Sequence, residues 1–209
     1  TGSVINLYGL NGNGFGKGIV VNGGYVHVSG HYTGSISLGS TTVSSAGNTD
    51  ILYARFDEGT LNPAGLWSFG GNKNDESNNM AANSNGDIFM TGSFQSSSLS
   101  FPISNTIQNL SSSTNSYDGF VVKFTSGFGG NHTQWAKAIS GSQTSSYGIA
   151  VTPQGSDIFL TGGFNANAMF NNDTLLANSG NNIFTSKLNF NGTAQPSLIS
   201  GNTSVCKGS

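Results

Sequence analysis

The glycine-rich stretch "GNGFGKG" at residues 12–18 is the segment closest in type to a phosphate-binding loop. Such a loop needs a glycine, four further residues and then Gly-Lys-Ser/Thr, so that backbone amides and the lysine surround the phosphates ahead of a helix. Here Asn11 stands at the first glycine position, Gly18 follows Lys17, and no helical pattern comes next. The sequence therefore predicts a loop between repeats at residues 12–18.

Histidine and acidic side chains are poorly spaced for a metal site. His27 and His31 share one face of a predicted strand, about 13 Å apart, which is too far for two ligands of one metal ion. The acidic pairs at 57–58 and 75–76 lack the dense oxygen pattern of a calcium loop, although residues 72–79 could still supply ligands. Since no nucleophile elbow, HExxH motif or Cys/His cluster appears, we expect no enzyme activity, no metal and no cofactor.

One octet occurs three times along the chain, roughly 60 to 70 residues apart. Repetition at such a period is typical of solenoids and propellers. The octets are "YVHVSGHY" at 25–32, "DIFMTGSF" at 87–94 and "DIFLTGGF" at 157–164, and their shared glycines are Gly30, Gly92 and Gly162.

Each repeat contains four short segments rich in β-branched and aromatic residues and bounded by Gly, Asn, Asp and Ser, which indicates strands. Four strands per unit match a propeller blade. We therefore predict an all-β fold of β-propeller-type repeats, with three four-stranded blades plus one strand of a preceding blade. The expected boundaries are 1–11 for that preceding strand, 12–71, 72–141 and 142–200 for the blade repeats, and 201–209 for a linker or following module.

Several recurring positions point to structural roles. The octet glycines predict a bulge or a close approach by a neighbouring backbone. The position of Asp50 and Asp118 is occupied by Asn182 in the third repeat, which favours a turn hydrogen bond over a titrating group. Trp67 and Trp135 mark the last strand of two repeats, and the third repeat lacks this tryptophan.

The composition limits the range of partners. Only 8% of residues are charged and the net charge is −2, so polarity comes from amides and hydroxyls. A chain with this charge balance lacks the basic surface by which proteins bind nucleic acid or an anionic membrane. No apolar run approaches the roughly 20 residues that span a bilayer. An uncharged Asn/Ser/Thr/Gly surface is suited to hydrogen bonds with polysaccharide.

The segment "GIAVTPQGSDIFLTGGF" at 148–164 resembles the bacterial β-propeller repeat called SBBP, and "SFPISNTIQ" at 100–108 and "YDGFVVKF" at 117–124 are similar to further segments of that repeat. The first repeat and the missing third tryptophan depart from the pattern. The tail "ISGNTSVCKGS" at 199–209 resembles the start of an Ig-like or PKD-like module.

The resemblance implies a non-catalytic module of a large secreted or cell-surface protein of Bacteroidota, adhesin-like, exported by the type 9 secretion system and in some cases serving gliding motility. Its implied partners are other blades of the same protein, surface polysaccharide or outer-membrane secretion proteins. Two alternatives remain open: a secretion-system cargo or filament component, and a propeller-type lyase or hydrolase with its site at the ring centre.

Cys206 and Thr174 are candidates for covalent modification. Cys206 has no partner within the sequence, so it is either an unpaired tail cysteine or paired outside the chain, and the resemblance places that pairing in the next module. "DTL" at 173–175 resembles an O-glycosylation signal of Bacteroidota, which makes Thr174 a glycosylation candidate and the protein a candidate glycoprotein.

Propellers close with roughly four to eight blades. Three repeats leave two apolar blade faces uncovered, so the sequence predicts either further blades or another chain against those faces.

Overall fold

The computed structural model describes residues 6–103, 106–112, 116–125, 133–141, 143–165, 167–170, 173–177, 180–189 and 197–198. Strands make up most of these residues and none of them is helical. The predicted all-β class is confirmed, with several antiparallel sheets. Among the residues described, no helix is long and apolar enough to cross a membrane.

Three antiparallel sheets, each with four main strands, follow one another along the chain, and a fifth strand joins the first of them. In each sheet every main strand pairs antiparallel with the next main strand along the chain. Sheet 1 contains β1 (Asn11–Asn22), β2 (Tyr25–Leu38), β4 (Asp50–Asp57) and β5 (Pro63–Phe69), and β3 (Thr41–Ser44) pairs with the far end of β2.

Sheets 2 and 3 repeat this plan, with a separate hairpin between their second and third strands. Sheet 2 contains β6 (Asp75–Ala82), β7 (Ile88–Phe94), β10 (Asp118–Phe124) and β11 (Thr133–Ile139), with the hairpin β8 (Ser98–Ile103) and β9 (Thr106–Ser111). Sheet 3 contains β12 (Ser145–Val151), β13 (Asp157–Phe164), β16 (Asn182–Asn189) and β17 (Ser197–Leu198), with the hairpin β14 (Ala168–Phe170) and β15 (Asp173–Leu175).

The loop predicted at residues 12–18 is wrong, because these residues form the first half of β1 and pair with β2. Glycine disfavours a strand when the strand is considered alone. Here it permits a close approach, since a Cβ on Gly14 would lie only 2.8 Å from the backbone oxygen of His31. The equivalent segments of the other repeats lie in β6 and β12.

The sheets stack face to face, and two apolar cores lie between them. The core between sheets 1 and 2 combines Ile51, Tyr53 and Phe69 with the inner residues of sheet 2 and its hairpin. The core between sheets 2 and 3 combines Phe89 and Val121 with sheet 3 and its hairpin. We call the face of a sheet that looks toward the next sheet its front face, and the opposite one its back face.

The back face of sheet 1 carries a third apolar cluster, formed largely with its own β2–β3 extension. The cluster includes Tyr32, Ile36 and Leu52, all nearly inaccessible to solvent. Tyr8 and Leu10 pack against this cluster, and residues 6–10 form no strand. The rest of the predicted preceding strand, residues 1–5, lies outside the described residues, so that assignment stays a prediction.

Candidate functional site

Each sheet carries a bulge in its first strand, opposite the octet glycine. A Cβ placed on that glycine would overlap a backbone carbonyl oxygen of the first strand in all three sheets. Only glycine therefore fits beneath the bulge, since any side chain would push the two strands apart. The glycines are Gly30, Gly92 and Gly162, and the bulged residues opposite them are Lys17, Asn78 and Tyr147.

The bulges also connect the sheets. Asn78 donates a side-chain hydrogen bond to the backbone oxygen of Ser146, from sheet 2 to sheet 3, over 3.0 Å. Next to it, the buried hydroxyls of Ser77 and Ser29 lie 2.7 Å apart and join sheet 2 to sheet 1. The bulge of β6 thus makes polar contacts with both neighbouring sheets, to β2 of sheet 1 and to β12 of sheet 3.

A cation lies over an aromatic ring at one equivalent position of each sheet. Lys123 lies 5.8 Å from the ring centroid of Phe89, and Lys187 lies 5.7 Å from that of Phe159. Asp157 accepts a hydrogen bond from Lys187 at 2.9 Å, which holds the pKa of the Asp157 carboxyl below its usual value. The lysines are thus occupied by ion pairs and ring contacts within their own sheets.

Arg55 takes the same position in sheet 1, and its guanidinium lies 4.2 Å from the ring centroid of Tyr25 and 5.6 Å from that of Trp67. The two tryptophans do not occupy equivalent positions. Trp135 pairs with Lys123, the equivalent of Arg55, whereas Trp67 pairs with Tyr53, two residues earlier in the strand. The Trp67 ring reaches back over Gly65, the register equivalent of Trp135. Both indoles therefore lie on the front face of their sheet.

The acid at the start of the third strand accepts hydrogen bonds from backbone amides, within a turn for Asp50 and from just after the end of the next strand for Asp118. Asp50 accepts from the backbone nitrogen of Ala46 at 2.9 Å, and Asp118 accepts from that of Gly141 at 2.9 Å. Burial raises the pKa of the Asp118 carboxyl. The Asn182 side chain instead donates to the backbone oxygen of Gly180 at 2.9 Å.

Asp75 is a buried carboxylate whose role the sequence did not indicate. It accepts hydrogen bonds from the Gly71 amide at 2.8 Å and the Ser96 hydroxyl at 2.7 Å, and longer ones from the amides of residues 95 and 96. Burial raises the pKa of this carboxyl above the ordinary 3.8, against the opposing effect of these donors. Asp75 thus links two parts of the chain: the segment that connects sheet 1 to sheet 2, and the residues that follow β7.

The histidines serve packing and hydrogen bonding. His27 is buried, and its Nδ1 lies 2.7 Å from the Tyr53 hydroxyl. Burial lowers the pKa of His27, so the ring is neutral at pH 7. In the described part of the chain, no three His, Cys, Asp or Glu side chains come together as a metal site.

A cleft opens where the ends of sheets 2 and 3 meet, with a volume of about 670 Å³. None of its lining residues carries a charge. Four side-chain amides and four hydroxyl groups surround it, with Gly163, Phe164 and Ile183 completing the wall. The amides belong to Gln95, Gln143, Asn181 and Asn182, and the hydroxyls belong to Ser116, Tyr117, Ser145 and Tyr147.

Two lining residues have distinctive conformations. Gln143 has a φ of 55°, a left-handed conformation that is uncommon outside glycine. Its backbone nitrogen donates to the Ser116 hydroxyl at 3.2 Å, and its side-chain oxygen accepts from Asn165. Tyr147, the bulged residue of sheet 3, is 59% exposed and presents an aromatic surface at the cleft.

The cleft is suited to a neutral ligand with many hydroxyl groups. Side-chain amides and hydroxyls both donate and accept hydrogen bonds, and an exposed tyrosine adds an apolar ring surface. A few convergent polar groups in a concavity of this size are typical of small-ligand sites. The cleft joins residues from five segments, up to 88 residues apart in the sequence (Gln95 to Ile183), and the repeat pattern alone did not indicate it.

The remaining predicted residues lie apart from the cleft. Thr174 lies in β15 of the exposed hairpin of sheet 3 and pairs with Met169, so its hydroxyl is accessible. Cys206 lies outside the described residues. The glycosylation and disulfide assignments therefore stay predictions.

The two ends of the stack expose apolar side chains. On the front face of sheet 3, Phe159 is 40% and Ile183 81% exposed. On the back face of sheet 1, Ile19 is 67% and Val21 56% exposed. The fold class is thus all-β, a stack of repeated antiparallel sheets that is compatible with a β-propeller-like repeat protein.

Comparison with protein-family models found no match for this chain, and comparison with curated proteins found none either. The SBBP resemblance therefore rests on the quoted motifs alone.

Proposed function

We propose that this chain is a non-catalytic binding module, whose cleft between sheets 2 and 3 contacts neutral polysaccharide. The observation that carries the proposal is the uncharged lining of the cleft, in which amides and hydroxyls surround a volume large enough for a few sugar rings. Sugar hydroxyls match such groups as hydrogen-bond partners, and Tyr147 offers a ring on which a sugar can stack.

The same proposal places the module in a larger secreted or cell-surface protein of the adhesin type, exported by the type 9 secretion system. Its support is the SBBP resemblance, and the stacked repeats are compatible with it. In this arrangement the sheets are propeller-type blades, and the low charge lets them contact other modules without strong electrostatic steering.

Glycan binding is tested on the purified chain by calorimetric titration with neutral and acidic polysaccharides. We expect saturable binding to a neutral polymer, weakened about tenfold in the double variant Q143A/N181A, because two hydrogen-bonding amides are lost. Q154A is the matched control, since Gln154 is an exposed amide in a distant turn.

Two results would contradict the proposal. Binding that the cleft variant and Q154A weaken equally would exclude the cleft as the site. Release of shortened sugars during incubation would instead favour the lyase or hydrolase alternative. Chemical analysis of the polysaccharide after incubation separates binding from turnover.

A further inference from the structure

The chain carries both halves of its own inter-sheet interface, one at each end of the stack. On the front faces of sheets 1 and 2, Ile51 and Phe89 are completely buried by the sheet that follows. Strand pairing makes Ile183 the equivalent of Ile51 and Phe159 the equivalent of Phe89. On sheet 3 these two side chains are 81% and 40% exposed.

The back face of sheet 1 shows the complementary difference. Ile19 pairs with Val28 just as Met80 pairs with Met90, two residues before the octet glycine in each case. Met80 is 4% exposed because sheet 1 covers it, whereas Ile19 is 67% exposed. The residues that form a buried contact between neighbouring sheets are therefore present, but uncovered, at opposite ends of one chain.

We propose that the front face of sheet 3 docks on the back face of sheet 1 in a second copy of this chain. The structure shows this kind of contact twice, between sheets 1 and 2 and between sheets 2 and 3, with apolar residues on both sides. Covering Phe159, Ile183, Ile19 and Val21 removes apolar surface from water, which favours association. The docking rests on these apolar faces and not on glycan binding, although Ile183 also lines the cleft, so a docked second copy would cover that part of its wall.

The contact is head-to-tail, because different faces of the two copies meet. Two copies supply six sheets with four main strands each, within the range of roughly four to eight blades that closes a propeller. A closed ring of two copies covers the exposed face of sheet 3 and the exposed face of sheet 1 in each copy, so we expect a dimer.

The test measures the mass of the chain in solution by sedimentation velocity over a range of concentrations. We expect wild type to dimerise, and I183K and I19K each to raise the dissociation constant by about 100-fold or more, because either lysine would be desolvated without a partner. L176K is the matched control: Leu176 is a 61% exposed apolar residue directly after the sheet 3 hairpin, and that hairpin packs on sheet 2. It should dimerise like wild type.

Mixing the two docking variants tests the head-to-tail geometry. I183K keeps an intact back face and I19K keeps an intact front face, so the mixture should form a heterodimer through one interface although neither variant dimerises alone. A wild type that stays monomeric up to millimolar concentration overturns the proposal. So does an I19K variant that dimerises by itself, because this would require two identical faces to meet. Circular dichroism of each variant verifies that the exposed substitutions leave the fold intact.

Discussion

Replacement of Gly162 by alanine tests whether the octet glycine is required by the bulge of the first strand. The added Cβ would lie well inside 3.0 Å of the Ser145 backbone oxygen and of the Phe184 ring. Real Cβ atoms essentially never lie within 3.0 Å of another heavy atom, and the Ser145 oxygen would be 2.0 Å away, so β12 or the buried ring must move by roughly 1 Å. Because the obstacle is backbone already held in a sheet, we expect a loss of about 2–3 kcal/mol in the free energy of unfolding, at the upper end for overpacking.

Urea denaturation followed by fluorescence measures the effect, and the midpoint should fall by roughly 1 M. Gly163→Ala is the matched control in the same strand. Its Cβ would lie 3.6 Å from the Tyr147 ring, an ordinary contact, so we expect a change within about 0.5 kcal/mol. If G162A is as stable as G163A, the glycine is not required by the bulge and the account given for Gly30 and Gly92 fails with it.

Two further predictions concern buried polar groups. Asp75→Asn should destabilise the chain by about 1–3 kcal/mol in urea denaturation, because an amide nitrogen cannot accept the hydrogen bonds that the carboxylate receives, whereas D173N on an exposed strand should be neutral. The raised pKa of Asp75 means that its protonated form is favoured in the folded state. Its contribution to the free energy of unfolding is therefore present below pH 3.8 and is lost as the pH rises through the raised pKa. D75N should lack this dependence of stability on pH. For His27 the dependence of stability on pH is opposite, because burial lowers its pKa and wild type becomes less stable as the pH falls below 6.5. H27F should remove this loss of stability at low pH. An unchanged plot of stability against pH would contradict the burial of a neutral His27.

Much of the local structure could be predicted from the sequence because it repeats. The octet and the segments around it carry the same β-forming residues at the same spacing, so strand type and strand order followed from local propensity and turn chemistry. The octet glycines indicated a close backbone approach for the same reason, since glycine inside a strand is unfavourable unless space requires it.

The glycine-rich start of β1 shows where local reasoning failed. Residues 12–18 contain turn-forming glycines, yet pairing with β2 makes them a strand. The hydrogen bonds of Asp75 could not be predicted from the sequence either, because their donors lie in the connection between sheets 1 and 2 and after the end of β7. In both cases the deciding contact is made by residues distant in sequence, and no local pattern records it.

The sequence by itself determined an all-β chain of low charge built from three similar units, because composition and strand propensity are local properties. Tertiary structure alone decided which faces those units bury and which they expose. The same apolar position is completely buried at Phe89 and 40% exposed at Phe159, because burial depends on whether another sheet follows. The cleft likewise exists only where the ends of two packed sheets bring Gln95, Gln143 and Asn181 together.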